Sequence, residues 1–95
     1  MIVNTIAKKE FDGLKVEKIF KSPTCETILV RLQKSHTFPK HTTPKEALIV
    51  IHQGEVVFNI KGESSTLVTG DTYEIPINEE HSVVATTDAI FLIIR

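Results

Sequence analysis

The sequence is poor in several residue types that would point to particular structures. It has one cysteine, Cys25, no tryptophan and only four glycines among 95 residues. A single cysteine excludes an intrachain disulfide and any zinc site built from cysteines. The longest apolar runs, ALIVI and AIFLII, are far shorter than the roughly 20 residues that a membrane-spanning helix needs. We therefore predict no membrane partner.

Net charge is also small. Eleven Lys and Arg against 12 Asp and Glu give −1 at pH 7, which offers no electrostatic basis for binding nucleic acid. The charges are unevenly distributed: residues 1–45 hold nine basic and four acidic side chains, and residues 46–95 hold two and eight. If the fold keeps the two halves apart, this asymmetry favours an antiparallel pairing of two subunits.

Length and composition predict one small domain over residues 1–95. A chain of this size is near the lower limit for burying an adequate core alone, and 41% of its residues are hydrophobic. Completing the core by pairing two copies is a common solution. The segment 1–13 has no long apolar core and no small-residue cleavage site, so we expect no signal peptide and a cytoplasmic protein.

Short alternating segments followed by turn residues predict an all-β fold. No longer window shows the apolar period of a helix. Eight strands are predicted, at residues 15–22, 25–34, 46–52, 55–61, 65–68, 71–76, 81–86 and 89–95.

Two of these strands are apolar on both faces. Ala47, Ile49 and Ile51 alternate with Leu48 and Val50, and the run 89–94 behaves in the same way. A strand that is apolar on both faces must be covered on both faces. A 95-residue barrel has little material to cover its own outer surface, so we predict a homodimer.

Two stretches carry a histidine within a regular spacing of turn residues. Residues 70–85 read Gly70-x5-Pro76-x-Asn78-x2-His81-x3-Ala85. Residues 35–54 read Ser35-x5-His41-x-Thr43-x3-Ala47-x6-Gly54. They resemble the second and first motifs of the cupin family, G-x5-P-x-G-x2-H-x3-N and G-x5-H-x-H-x3-E-x6-G, and every spacing is preserved.

The resemblance implies a cupin-like double-stranded β-helix, that is, a jelly-roll barrel of two antiparallel sheets of the RmlC-like type. Such barrels are commonly dimeric, and their ligands enter at one open end. In metal-binding cupins, three His and one Glu converge inside the barrel on Fe, Mn, Zn, Ni or Cu. This chain keeps His41 and His81 and places Thr43 and Ala47 where a second His and the Glu would stand.

The retained and replaced positions together predict a degenerate metal site. His41 and His81 should hold a divalent transition metal such as Zn, Ni, Fe or Mn only weakly, since a catalytic site normally needs three protein ligands. The predicted ligand-binding residues are His41, Thr43, Tyr73 and His81. Two further side chains could complete a metal site, namely His36 and Glu46. In a regular strand Glu46 points away from the interior, and only a local bulge would turn it inward.

Three classes of function remain open at this point. The first is a cytoplasmic homodimer that binds a small molecule, or a weakly held metal, in the barrel without an assigned reaction. The second is an enzyme, either a metal-dependent oxygenase or isomerase using His41 and His81 or a metal-free isomerase with a His base and Tyr73 as acid. The third is a dimeric structural or regulatory module without catalysis.

Overall fold

The computed structural model describes residue 6 and residues 10–95, so most of the segment 1–9 lies outside the described residues. The absence of a signal peptide therefore stays an expectation. Within the described residues every regular element is a strand, and no helix is long and apolar enough to cross a membrane. The strands are β1 (Leu14–Lys21), β2 (Glu26–Leu32), β3 (Thr37–His41), β4 (Ala47–Gln53), β5 (Glu55–Ile60), β6 (Glu63–Val68), β7 (Thr72–Ile75), β8 (His81–Ala85) and β9 (Ala89–Ile94).

The strands form two antiparallel sheets that pack face to face. The five-stranded sheet has the order β1-β2-β9-β4-β7, and the four-stranded sheet has the order β3-β8-β5-β6. Apart from the consecutive pairs β1-β2 and β5-β6, neighbours in each sheet come from distant parts of the chain, which is the crossing pattern of a jelly roll. The predicted all-β fold of two antiparallel sheets is confirmed.

The structure has one strand more than the eight predicted from sequence. The additional strand, β3, contains Pro39, and proline cannot donate a hydrogen bond within a sheet. β3 lies at the edge of the four-stranded sheet, and its pairing with β8 shifts register between Phe38 and His41. An edge position beside a bulge is where a strand tolerates proline. Because of this proline, the sequence pattern did not predict β3 as a strand.

The core fills the space between the inner faces of the two sheets. Ile49 on β4, Phe91 on β9 and Phe58 on β5 are all fully buried there. The alternation predicted for the two-faced strands is confirmed, because Ala47, Ile49 and Ile51 belong to the core while Leu48 and Val50 lie half-buried on the opposite face. On β9, Ala89, Phe91 and Ile93 belong to the core, while Leu92 and Ile94 lie half-buried on the opposite face and Ile90 is buried there.

The outer face of the five-stranded sheet is apolar across three adjacent strands. Leu29, Leu92 and Val50 face one another in register from β2, β9 and β4. Leu29 is 0% exposed and Ile90, on the same face, is 1% exposed. Ile94 joins the half-buried residues of this face. Leu29 and Ile90 are thus already covered within the chain, as is Arg31 on the same face, and the partly exposed apolar residues of this face are Leu48, Val50, Leu92 and Ile94.

An ion-pair cluster around Glu26 holds the end of the chain against β1 and β2. The Glu26 carboxylate lies 2.8 Å from Nζ of Lys18 and 2.7 Å from Nε of Arg95. Backbone hydrogen bonds also link Glu26 and Arg95 in both directions. The hydrogen bonds from Lys18 and then Arg95 lower the pKa of Glu26 from 4.5 to about 2, against an opposing effect of desolvation.

This pKa shift predicts a specific loss of stability in acid. A carboxyl whose pKa is lower in the folded state stabilises the fold above pH 4.5, and this contribution disappears as the pH falls to about 2. Glu26→Gln should lower the melting temperature at neutral pH and match the wild-type protein near pH 2. Glu80→Gln is the control, because Glu80 pairs with Lys40 at 3.9 Å between two exposed side chains, where ion pairs contribute little. Equal effects of the two substitutions at neutral pH would contradict the assignment.

Candidate functional site

Four turn positions set the geometry around the two histidine motifs. Gly54 and Gly70 have φ angles of 94° and 91°, and Ser35 and Asn78 have φ angles of 71° and 59°. Ser35 and Asn78 stand where the cupin motifs have glycine, and both keep the left-handed backbone that glycine adopts most easily. Asn tolerates this conformation better than most residues. The spacing of the motifs thus survives in backbone conformation where it is lost in residue identity.

His41 and His81 lie side by side at one end of the four-stranded sheet. His41 is the last residue of β3 and His81 is the first residue of β8, and the two are direct antiparallel partners. Their ring centroids are 4.3 Å apart, with an angle of 63° between the ring planes. His81 shares its face of β8 with Val83 and Ala85 of the core and is only 3% exposed, whereas His41 is half-buried.

Backbone carbonyls fix the same tautomer in both neutral imidazoles. Nδ1 of His41 lies 2.7 Å from the Pro39 carbonyl oxygen, and Nδ1 of His81 lies 2.9 Å from the Glu79 carbonyl oxygen. A carbonyl oxygen can only accept a hydrogen bond, so each Nδ1 carries the proton and donates it. Nε2 of each neutral ring is therefore left with a lone pair, ready to accept a hydrogen bond or bind a metal ion.

Aromatic rings surround the histidine pair. Phe38 stacks on His41 with centroids 4.4 Å apart, and Phe58 lies 5.6 Å from His81 and 4.7 Å from Tyr73. Burial lowers the pKa of His81 below its ordinary value of 6.5, and repulsion from His41 adds to the effect, while the hydrogen bond to Glu79 opposes it. At neutral pH His81 is therefore uncharged and can accept a hydrogen bond.

Thr43 and Tyr73, the other two predicted site residues, occupy different settings. Thr43 is buried, and its hydroxyl donates a 2.8 Å hydrogen bond to the carbonyl oxygen of Lys45. Its own carbonyl oxygen accepts a hydrogen bond from the Asn78 N–H at 2.9 Å. The hydroxyl thus stabilises the turn before β4. Tyr73 is half-buried on β7 and packs against the core, with its ring against Phe58.

The remaining candidate ligands lie away from the histidine pair. Ala47 stands in the core with no donor atom, and Glu46, just before β4, is exposed and lines a groove on the outer face of the five-stranded sheet. No bulge turns Glu46 inward. His36 is exposed beside Gly13. Across residues 6 and 10–95, no group of three or more His, Cys, Asp or Glu side chains could hold a metal ion.

The donor set therefore does not fit a catalytic metal centre. Two imidazoles bound to one metal at about 2.0–2.1 Å, with an angle of roughly 90–110° between the bonds, have centroids roughly 4.5–5.2 Å apart. The observed 4.3 Å is close to this range, so the spacing of the pair is not the obstacle, and a metal ion would lack further ligands. Neither the missing carboxylate nor a third imidazole is supplied by the described residues.

A jelly roll of two antiparallel sheets, whose motif histidines meet from neighbouring strands at one end, defines a barrel of the cupin type. The chain belongs to the cupin family: the family model described as "Cupin domain" matches residues 28–95. No curated protein matches the chain in sequence.

Solved structures agree with this fold. An RmlC-like cupin from Desulfovibrio desulfuricans superposes with a TM-score of 0.88 at 23% identity, covering 99% of this chain and 93% of that chain. A cupin superfamily protein from Desulfitobacterium hafniense gives 0.83 at 18% identity, with 90% and 80% covered. The DMSP lyase DddQ from Ruegeria pomeroyi gives 0.81 at 20% identity, covering 87% of this chain and 46% of that chain. At these identities the similarity concerns the fold.

Proposed function

We propose that this cupin domain binds a small molecule that donates hydrogen bonds to Nε2 of His41 and His81. The observation that supports this most directly is the shared tautomer, because both Nδ1 atoms are occupied by backbone carbonyl oxygens. Each ring of the pair thus offers an Nε2 lone pair to an N–H or O–H donor, and the two ring centroids are 4.3 Å apart. The lowered pKa of His81 keeps its ring in the accepting form at neutral pH.

The surroundings of the pair define the rest of the ligand. Half-buried Phe38 stacks on His41, and half-buried Tyr73 packs on Phe58, which is fully buried and supports the His81 ring from the core. Aromatic side chains favour stacked or edge-to-face contacts with other rings. The ligand class is therefore a planar, largely apolar molecule with one or two N–H or O–H groups. Thr43 shapes the turn that follows His41 instead of contacting this ligand.

Metal binding at the same pair is proposed to be weak. Two neutral imidazoles leave the full charge of a divalent ion uncompensated, and three protein ligands are usual in catalytic sites. An oxygenase or isomerase that depends on a metal would need a ligand beyond those that the described residues bring to the pair. The non-enzymatic binding function is therefore favoured over the metalloenzyme. We also propose that the binding unit is a homodimer.

Phenol is a suitable probe, because it carries one O–H donor on a planar apolar ring. We expect phenol to shift the imidazole ¹⁵N resonances of His41 and His81, with the larger change at Nε2, the nitrogen that accepts the bond. His81→Phe keeps a planar ring but removes the acceptor, and should weaken binding roughly tenfold. The same should hold for His41→Phe. His52→Phe is the matched control, since His52 is exposed on β4.

The pH dependence provides a second readout. Binding should persist at neutral pH, where the lowered pKa keeps His81 uncharged, and decline in acid, once protonation of His81 removes its Nε2 lone pair. Phenol binding that is equally strong in His81→Phe, or that strengthens as His81 becomes charged, would contradict the proposal. An NMR shift confined to residues outside the pair would do the same.

A further inference from the structure

A cleft with a polar floor lies on the outer face of the four-stranded sheet, and His81 is among its lining residues. Its volume is about 420 Å³, and three polar residues form its floor: Asn59 on β5, Ser64 on β6 and Ser82 on β8. Asn59 is the register partner of both serines. The floor is therefore a continuous polar row across three neighbouring strands. These residues lie on three separate strands, and no sequence motif includes all of them.

The floor residues are linked to one another and still have hydrogen-bonding capacity. The Ser64 hydroxyl donates to Oδ1 of Asn59 at 2.5 Å, and Nδ2 of Asn59 donates to Oγ of Ser82 at 3.4 Å. Ser82 is only 8% exposed, although it faces outward from the sheet. Its hydroxyl proton and one N–H of Asn59 have no acceptor among the described residues. The oxygen atoms of both serines retain lone pairs. The row thus offers both donors and acceptors.

The rim of the cleft carries charges of both signs. Lys40 lies 3.9 Å from Glu80, and Lys61 lies 3.7 Å from Glu79, so two lysines are each paired with a carboxylate. Glu63 is a third carboxylate on the rim. The resulting excess of one negative charge disfavours anionic ligands. The paired lysines offer no strong positive field to a phosphate or a carboxylate.

We propose that this cleft binds an uncharged polyhydroxylated molecule of the size of a mono- or disaccharide. A hydroxyl group is both a donor and an acceptor, which matches the mixed capacity of the floor. The volume of about 420 Å³ falls within the range of about 300–1,000 Å³ that is usual for small-molecule pockets. The three floor residues face away from the core, although His81 also lines the cleft. The inference concerns this outer floor and goes beyond the function proposed for the two Nε2 atoms.

The test is an amide NMR titration of the ¹⁵N-labelled protein with D-glucose, D-galactose, maltose and myo-inositol. We expect at least one of these to shift the amides of Asn59, Ser64 and Ser82 together, with saturable millimolar binding. Ser64→Ala and Ser82→Ala should each weaken that binding about fivefold to tenfold. Ser65→Ala is the matched control: it deletes the same hydroxyl one residue along β6, on the opposite face of the strand.

Ionic strength and ligand charge distinguish this proposal from simple electrostatic attraction. Binding through hydroxyls should change less than twofold between 20 and 500 mM NaCl, whereas a charge-driven contact with exposed groups would weaken markedly. The proposal is overturned if none of the four compounds shifts the floor amides at 100 mM. It is also overturned if glucosamine or glucuronate binds there more tightly than glucose, or if Ser65→Ala weakens binding as much as Ser64→Ala.

Discussion

A variant carrying both Thr43→His and Ala47→Glu should bind zinc or nickel at least roughly a hundredfold more tightly than the wild-type protein. The two substitutions restore the imidazole and the carboxylate of the cupin metal motif at positions whose spacing this chain preserves. The carboxylate has the larger role, because it supplies a negative ligand to an ion that otherwise meets only neutral donors. Isothermal titration calorimetry of both proteins with zinc and nickel measures the difference.

The structure adds a cost to this substitution that the motif alone does not reveal. Thr43 is buried and its hydroxyl stabilises the turn before β4 through Lys45, so Thr43→His should lower the melting temperature in the absence of metal. Bound metal should raise it again, because a ligand that binds only the folded state stabilises that state. The matched control is Thr42→His combined with Ala47→Glu, since Thr42 is exposed.

Two results would contradict the degenerate-site interpretation. One is stoichiometric binding by the wild-type protein below micromolar concentration, which would mean that a further ligand completes the site and would favour the enzyme alternative. His36→Ala and Glu46→Ala would then identify that ligand. The other is a folded double variant that binds metal no more tightly than its Thr42→His control. In that case the two positions do not face the histidine pair.

The motif spacings predicted the fold because they encode turns as well as ligands. Ser35 and Asn78 replace the glycines of the motifs, yet both have positive φ. The turns are therefore kept, and the strands that follow begin where the motifs require. That placement brings His41 opposite His81 from segments 40 residues apart in sequence. The alternation of apolar residues also predicted the inner and outer faces of β4 and β9, because successive side chains along a strand point to opposite faces.

The features that could not be predicted depend on contacts between distant or competing groups. Pro39 locally disfavours a strand. The strand β3 tolerates it because β3 lies at the sheet edge and its pairing with β8 shifts register nearby. The Thr43 hydroxyl donates to the Lys45 carbonyl oxygen, a backbone contact that the ligand motif does not specify. The tautomers of the two histidines follow from backbone carbonyls that no side-chain motif specifies.

Val50→Asp should convert a wild-type dimer into monomers or prevent folding. Sedimentation velocity at micromolar concentration measures the oligomeric state, and circular dichroism shows whether the variant is folded. Val50 lies half-buried on β4, in the part of the outer apolar face that the chain leaves partly exposed, and is in register with half-buried Leu92 of β9. An unpaired carboxylate placed in an apolar contact loses its hydration without compensation. We expect the dimer dissociation constant to rise by about a hundredfold or more. Thr66→Asp, exposed on the other sheet, is the control.

The distribution of charge supports a second copy of this chain as the partner of that face. The N-terminal strand β1, with three lysines and one glutamate, forms one edge of the five-stranded sheet. Lys15 is exposed there, whereas its register partner Arg31 is buried and lies 3.7 Å from Glu17. The acidic half supplies the other edge, where Glu46 and Glu74 line a groove of about 560 Å³ beside Leu48. Two copies packed face to face about a twofold axis between these edges would place each basic edge against an acidic one.

This arrangement makes the salt dependence of the dimer part of the same prediction. Complementary edges should make the wild-type dimer dissociate more readily at 500 mM than at 50 mM NaCl, because exposed charges are screened over a shorter distance at high salt. Glu74→Lys should weaken the dimer and reduce that dependence. A wild-type protein that sediments as a monomer at tens of micromolar would contradict the dimer. A folded Val50→Asp variant with unchanged sedimentation would instead place the partner on another surface.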